Sequence, residues 1–209
     1  MYINSYVAIT DKLVLIDGKE QDLSFLNHED SYLTQLYRHY GMNYPKFFKM
    51  DDLCKAGFLG AELLLGTPKD MVHDWAIVSF TSTSSISTDI NYQHTIIRRD
   101  NYYPSPSIFV YTLANIMSGE VAIRHHLQGE SSVYVLPEFD SERMIEVVDM
   151  LRQRTPRLSH ILLCWGDSLD GKIDVMMCDI SCGGSSGGAK DLDILNLDII
   201  RSEMNINNK

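Results

Sequence analysis

The chain has 209 residues, 44% of them hydrophobic and 22% charged, with a formal net charge of −10. That apolar fraction supports a buried core and excludes the low-hydrophobicity composition of disorder, and the length suits one domain of ordinary to large size. The negative charge sets the general field against nucleic acid and anionic lipid, which are held through Lys and Arg, so no nucleic-acid partner is expected.

Residues 1–5 show no basic region leading into an apolar stretch, and no run approaches the roughly 18 apolar residues of a membrane span. A cytoplasmic protein without a membrane span is expected. Cys54, Cys164, Cys178 and Cys182 form no C-x-x-C pair and no regular framework, which favours reduced, mostly buried thiols.

In chain order, Tyr2 to Ile16 is rich in β-branched and aromatic residues around a polar break at Thr10-Asp11-Lys12, which predicts two short strands and then a turn at Asp17-Gly18. Leu26, Leu33, Leu36 and Tyr37 predict a short helix after the loop at residues 27–30. Met50, Leu53, Gly57, Ala61 and Leu64 recur three or four apart, predicting a well-buried helix from Lys49 to Leu65, stopped by Gly66-Thr67-Pro68. His73 to Phe80 reads as a central parallel strand, and the Ser/Thr-rich stretch Thr81 to Thr88 as a loop whose hydroxyls satisfy its own backbone or cap an anion.

Pro104-Ser105-Pro106-Ser107 opens a long helical segment whose stripe runs Phe109, Leu113, Ile116, Ile123, Leu127. Ser132 to Leu136 is predicted as a strand and Asp140 as the start of a helix with Met144, Val147, Val148 and Leu151 on one face. Ile161 to Trp165 and Lys172 to Ile180 read as strands joined through Asp167 to Gly171 with its Asp-Gly turn. The composition changes at Ser181. Residues 182–190 read as a flexible Gly/Ser linker and 191–209 as a tail with a short amphipathic element that docks back or binds a partner. Alternating helices and strands imply an α/β fold with a mixed sheet.

The stretch from Ser105-Pro106 through Phe109, Thr112-Leu113-Ala114-Asn115, Gly119, Val121-Ala122-Ile123-Arg124 and Leu127-Gln128-Gly129 resembles the β-ketoacyl synthase segment "SP..F..TLPN...G.IAIR.GLRGP". The order of neighbouring elements agrees over residues 1–181. The resemblance implies a thiolase-like half-domain, a mixed five-stranded sheet flanked by helices, corresponding to the N-terminal half of the family fold. It implies no cofactor and no metal. In the family this half carries a nucleophilic Cys, and the other half two His and a Lys. Counting on from Gly129 puts Glu138 at the nucleophile position, with Phe139 one residue later. Neither residue can form the acyl-accepting thiolate.

The resemblance therefore implies a non-catalytic, chain-length-factor-like subunit of fatty-acid or polyketide-type biosynthesis, polyene pigments among its products. It would pair with a ketosynthase, with itself, or with an acyl carrier protein. In the family fold the strand Ser132 to Leu136 lies along the dimer seam, which makes Val133 and Val135 candidate partner contacts. Arg152, Arg154 and Arg157, near His160, form a local basic group that could meet an acidic carrier protein or simply compensate a helix end. The alternative from another class is a small acyltransferase or thioesterase using Glu138 or Cys182 with His125.

The remaining motifs read plainly. His125-His126 suits a solvated helix C-terminus, and His73-Asp74 a strand entrance. Gly183 to Gly187 satisfies G-x-S-x-G but lacks the strand and helix that a nucleophile elbow requires. The same stretch fails the P-loop because no Ser or Thr follows Lys190.

Overall fold

A computed structural model describes residues 1–27, 29–66, 74–183 and 189–206. The N-terminal β-rich stretch forms β1 (Tyr2–Thr10), β2 (Val14–Ile16) and β3 (Lys19–Glu20). Asp17 and Gly18 turn between the last two with both φ values positive, the backbone that Asp-Gly accommodates best. Helix α1 (Tyr32–His39) follows, and a 3-10 turn at Pro45–Lys49 leads into α2 (Asp52–Leu65). Asp51 caps α2 by accepting the Cys54 N–H at 2.8 Å. The small residues of α2 have a packing reason: a Cβ on Gly57 would meet the Met117 side chain at 2.5 Å.

Next come β4 (Trp75–Thr81), α3 (Ile86–Ile96), α4 (Pro106–Phe109), α5 (Ile116–His125), β5 (Ser131–Val135) and α6 (Ser141–Arg154). The expected loop at Thr81 to Thr88 is shorter than predicted, because α3 begins at Ile86. The expected long helix beyond Pro104 is broken. A 3-10 turn at Val110–Thr112 and an extended Leu113 separate α4 from α5. In a continuous helix the Thr112 carbonyl would accept the Ile116 N–H. Here it accepts the Ser85 hydroxyl at 2.6 Å, and Ile116 donates to Leu113 instead.

Asp140 caps α6 as the sequence predicts. β6 (His160–Leu169) and β7 (Lys172–Ser181) form the hairpin, and both run further than their apolar cores suggested. Pairing continues to Leu169 opposite Lys172, so Asp170-Gly171 alone makes the turn. β8 (Lys190–Asp191) and α7 (Ile194–Ile206) complete the chain.

One mixed sheet runs β3-β2-β1-β7-β6-β4-β5, with β8 paired to the start of β1. Among the described residues its eight strands comprise five long ones (β1, β4, β5, β6, β7) and three of two or three residues. β5, β4 and β6 are parallel, and β6, β7, β1 and β2 are antiparallel in turn. Side chains alternate across it. Ile161, Leu163 and Trp165 join the core beneath α6 and α7, whereas Leu162 and Cys164 join the core beneath α1, α2 and α5. The tail element docks back: Leu197, Ile200 and Met204 of α7 are buried against the first face. No helix among the described residues is long and apolar enough to cross a membrane.

Candidate functional site

Strand β5 lies at the edge of the sheet, bonded to β4 on one side and, among the described residues, to no strand on the other. Ile77 donates its N–H to the Glu130 carbonyl and Leu136 donates to the Thr81 carbonyl, both at 2.9 Å. In a parallel ladder alternate residues face the same neighbour, so 130, 132, 134 and 136 face β4. The backbone groups of Ser131, Val133 and Val135 point outward. Tyr134 stacks on Phe80 at 5.3 Å and packs into the α6–α7 core, which puts Val133 and Val135 on the opposite, α5 side. Val133 is half-buried, and Val135 is 62% exposed. α5 packs against β5, and Phe109, Val110, Leu113 and Ile123 are exposed on α5 and the elements leading into it.

The elbow after β5 holds Glu138 exposed, two residues before the Asp140 cap of α6. Phe139 instead turns inward, edge-on to Trp165 at 5.4 Å. The arginines are placed unevenly. Arg154 binds both oxygens of Glu130 at 2.7 and 2.9 Å, Arg152 donates to the Pro156 and Cys182 carbonyls, and Arg157 is exposed. His160 is apart from them in its contacts. It opens β6, stacks on Trp75 and meets the Asp179 carboxylate at 2.6 Å.

The residues of the hydrolase alternative are not brought together. Glu138 is at the C-terminal end of the parallel strands, whereas Cys182, whose N–H donates to Ser159, is at their N-terminal end. Cys182 belongs to the α6–α7 core, and its thiol is pushed up by burial, with Arg152 opposing. His125 belongs to α5, on the other face of the sheet. All four cysteines are free and buried, and burial pushes the Cys164 thiol up to about 12.

His125 corrects the reading of a solvated helix end. It is 4% exposed, and its Nε2 lies 3.2 Å from Glu62 Oε1 without an aligned hydrogen bond. His126 takes the left-handed C-cap position. Glu62 receives Arg124 in a two-pronged pair at 2.7 and 2.9 Å, and the guanidinium also lies over the Tyr44 ring. Burial alone would raise the Glu62 carboxyl. The Arg124 bonds, the His125 contact and their charges outweigh it and hold the group at about 2.

Two further groups were not singled out from sequence. The Asp167 carboxylate is the anion capped by the Ser/Thr loop. It accepts from the Thr81, Ser82 and Thr83 hydroxyls and from the Ser82 and Thr83 N–H groups, all between 2.6 and 3.0 Å. Glu120, only 1% exposed, is paired through Oε1 with Lys46 at 2.7 Å and accepts the Tyr111 hydroxyl at 3.4 Å. A Glu inside an apolar helical stripe was the available signal for the second. The density of hydroxyls was the signal for the first, though nothing local named Asp167. His73 and residues 184–187 of the G-x-S-x-G stretch lie outside the described residues.

No protein-family model and no curated protein matches the sequence. Among solved structures the chain is similar to the ishigamide ketosynthase/chain length factor, with a TM-score of 0.69 and 11% identity over 89% of this chain and 63% of that one. It is also similar to a ketosynthase in complex with its chain length factor from Xenorhabdus doucetiae, with a TM-score of 0.54 and 12% identity over 88% of this chain and 81% of that one. The chain thus spans less than two thirds of the length of the first. The mixed sheet flanked by helices is the thiolase-like fold of ketosynthase and chain-length-factor proteins.

Proposed function

We propose that the chain is a non-catalytic, chain-length-factor-like subunit that pairs with a ketosynthase in polyketide-type or fatty-acid-type assembly. The observation that carries this reading is the outer edge of β5: backbone groups at Ser131, Val133 and Val135 that pair with no strand among the described residues, beside an exposed Val135. A bare apolar edge strand is a liability that proteins normally cover, and strand addition from a partner covers it with main-chain hydrogen bonds. Two similar structures are described as ketosynthases with their chain length factors, which supports a ketosynthase as the partner. An exposed Glu138 in place of a cysteine at the position that the family resemblance gives to the nucleophile supports the non-catalytic assignment.

Arg152, Arg154 and Arg157 are a secondary docking candidate for an acyl carrier protein. Of the three, Arg157 extends most freely, so its reversal to Glu is the sharper probe of that contact. The separation of Glu138, Cys182 and His125 gives the acyltransferase or thioesterase alternative no support.

The test is co-expression with a ketosynthase from the same organism, followed by native mass measurement. Val133→Asp and Val135→Asp are expected to dissociate the complex, and Val135→Asp, at an exposed position, to keep its melting temperature. A complex of unchanged mass in both would remove β5 as the seam.

A further inference from the structure

We propose that a cavity to which β5 contributes no residue binds a small α-amino acid as its zwitterion. The cavity encloses about 260 Å³ where the first turns of α2 and α3 meet the turn between β6 and β7. It thus lies at the carboxyl ends of the parallel strands β4 and β6, where open α/β sheets hold ligands. Hydrogen bonds tie its walls together. Thr88 of α3 donates its hydroxyl to Asp51 Oδ2, before α2, at 2.7 Å, and Ser87 donates to the Ser168 carbonyl of β6 at 2.9 Å. Ser168 is the group that calls for a ligand. It is 7% exposed and follows Gly166 by two positions, on the face of β6 turned to Leu53 of α2. It lines the cavity, and its hydroxyl has no hydrogen-bond partner among the described residues.

The two helix starts differ in sign. That of α2 is closed by acid: Asp51 Oδ1 accepts the Cys54 N–H at 2.8 Å, and Asp52, exposed, meets Lys55 at 3.3 Å. That of α3 is open. Ser85 stands at its N-cap but donates its hydroxyl to the Thr112 carbonyl at 2.6 Å, so no side chain caps the helix. The Ser87 N–H, in the first turn, has no acceptor among the described residues. No Lys, Arg or His among the described residues lines the cavity. A simple anion would sit beside two carboxylates without a counter-charge, and a simple cation would leave the α3 start and Ser168 unserved. An ammonium and a carboxylate joined through one carbon serve both ends. The carboxylate takes the Ser87 N–H and the Ser168 hydroxyl, and the ammonium faces Asp51 and Asp52. Leu53 is the one apolar side chain of the described lining and Asn91 adds an amide, which favours a short, polar side chain on the ligand.

The probe is L-serine, titrated into the full chain by isothermal calorimetry, with ethanolamine and 3-hydroxypropanoate as comparisons. Saturable one-site binding with a Kd of about 0.1 to 1 mM is expected. Ethanolamine, for want of the carboxylate, and 3-hydroxypropanoate, for want of the ammonium, should each bind at least roughly tenfold more weakly. Ser168→Ala and Asp52→Asn should each weaken serine roughly tenfold, while both variants keep the circular dichroism of the wild type. The absence of saturable serine binding overturns the proposal. So does serine binding that both variants retain, which places the ligand elsewhere. Equal binding of ethanolamine overturns it in favour of a cation site, and equal binding of 3-hydroxypropanoate in favour of an anion site.

Discussion

Replacing Asp167 by alanine removes the acceptor on which five donors of residues 81–83 converge. A hydrogen bond to a charged group contributes about 1.5–3 kcal/mol, but five such values cannot be added, because the three hydroxyls can rotate towards water or one another. The Ser82 and Thr83 N–H groups have no such freedom, and Thr81 is buried. The expected loss is about 3 to 4 kcal/mol, a large part of the 5–15 kcal/mol typical of a native domain. Asp167→Asn keeps one acceptor oxygen but turns an amide N–H₂ towards donors, so an intermediate loss of about 1.5–2.5 kcal/mol is expected. Urea unfolding read as a midpoint shift at constant slope gives both numbers. A loss below about 1 kcal/mol for Asp167→Ala would show that water satisfies these donors as well as the carboxylate does, and the reasoning would fail.

Two further outcomes follow from the same kind of geometry. A Cβ on Gly129 would lie 2.0 Å from the Trp75 carbonyl oxygen, which is backbone and cannot swing aside; Gly129→Ala is expected to cost more than about 3 kcal/mol or to prevent soluble expression, and a melting temperature near that of the wild type would contradict the close approach of that loop to β4. Glu62 is held at about 2, below its ordinary 4.5, so its pair with Arg124 stabilises the fold above about pH 4.5 and is lost as the pH falls from there towards 2. Between pH 7 and pH 3 the shift corresponds to about 2 kcal/mol before solvent screening and about 1 kcal/mol after it, measured as the difference in stability between the two pH values for the wild type less that for Glu62→Gln; equal slopes in the two proteins would dismiss the pair.

Much of the scaffold was legible in local pattern. The Met144-Val147-Val148-Leu151 stripe, the Asp140 cap, the Asp170-Gly171 turn and the apolar strand Ile161 to Trp165 each depend on neighbours a few residues away, and each stands where the pattern puts it. The Gly129 of the ketosynthase-like stretch was also visible, although its reason was not. Only the approach of Trp75, more than fifty positions earlier in the chain, makes a side chain impossible there.

Where the reading missed, the deciding partner was distant in sequence. The segment from Ser105 to Leu127 has a helical stripe throughout, yet the Ser85 hydroxyl takes the Thr112 carbonyl and breaks it. His125 has the local context of a solvated helix end, and Glu62, on another helix, draws it into the interior. The Ser/Thr loop announced its hydroxyls without announcing the carboxylate they surround, because Asp167 reaches them only when β6 lies beside β4. Composition, periodicity and caps thus determined the class of fold and most of its elements, since those signals act over a single turn or strand. Which strand forms the sheet edge among the described residues and which acids are buried were decided by the packing of the sheet, since strand pairing and burial are properties of neighbours that the chain brings together only on folding.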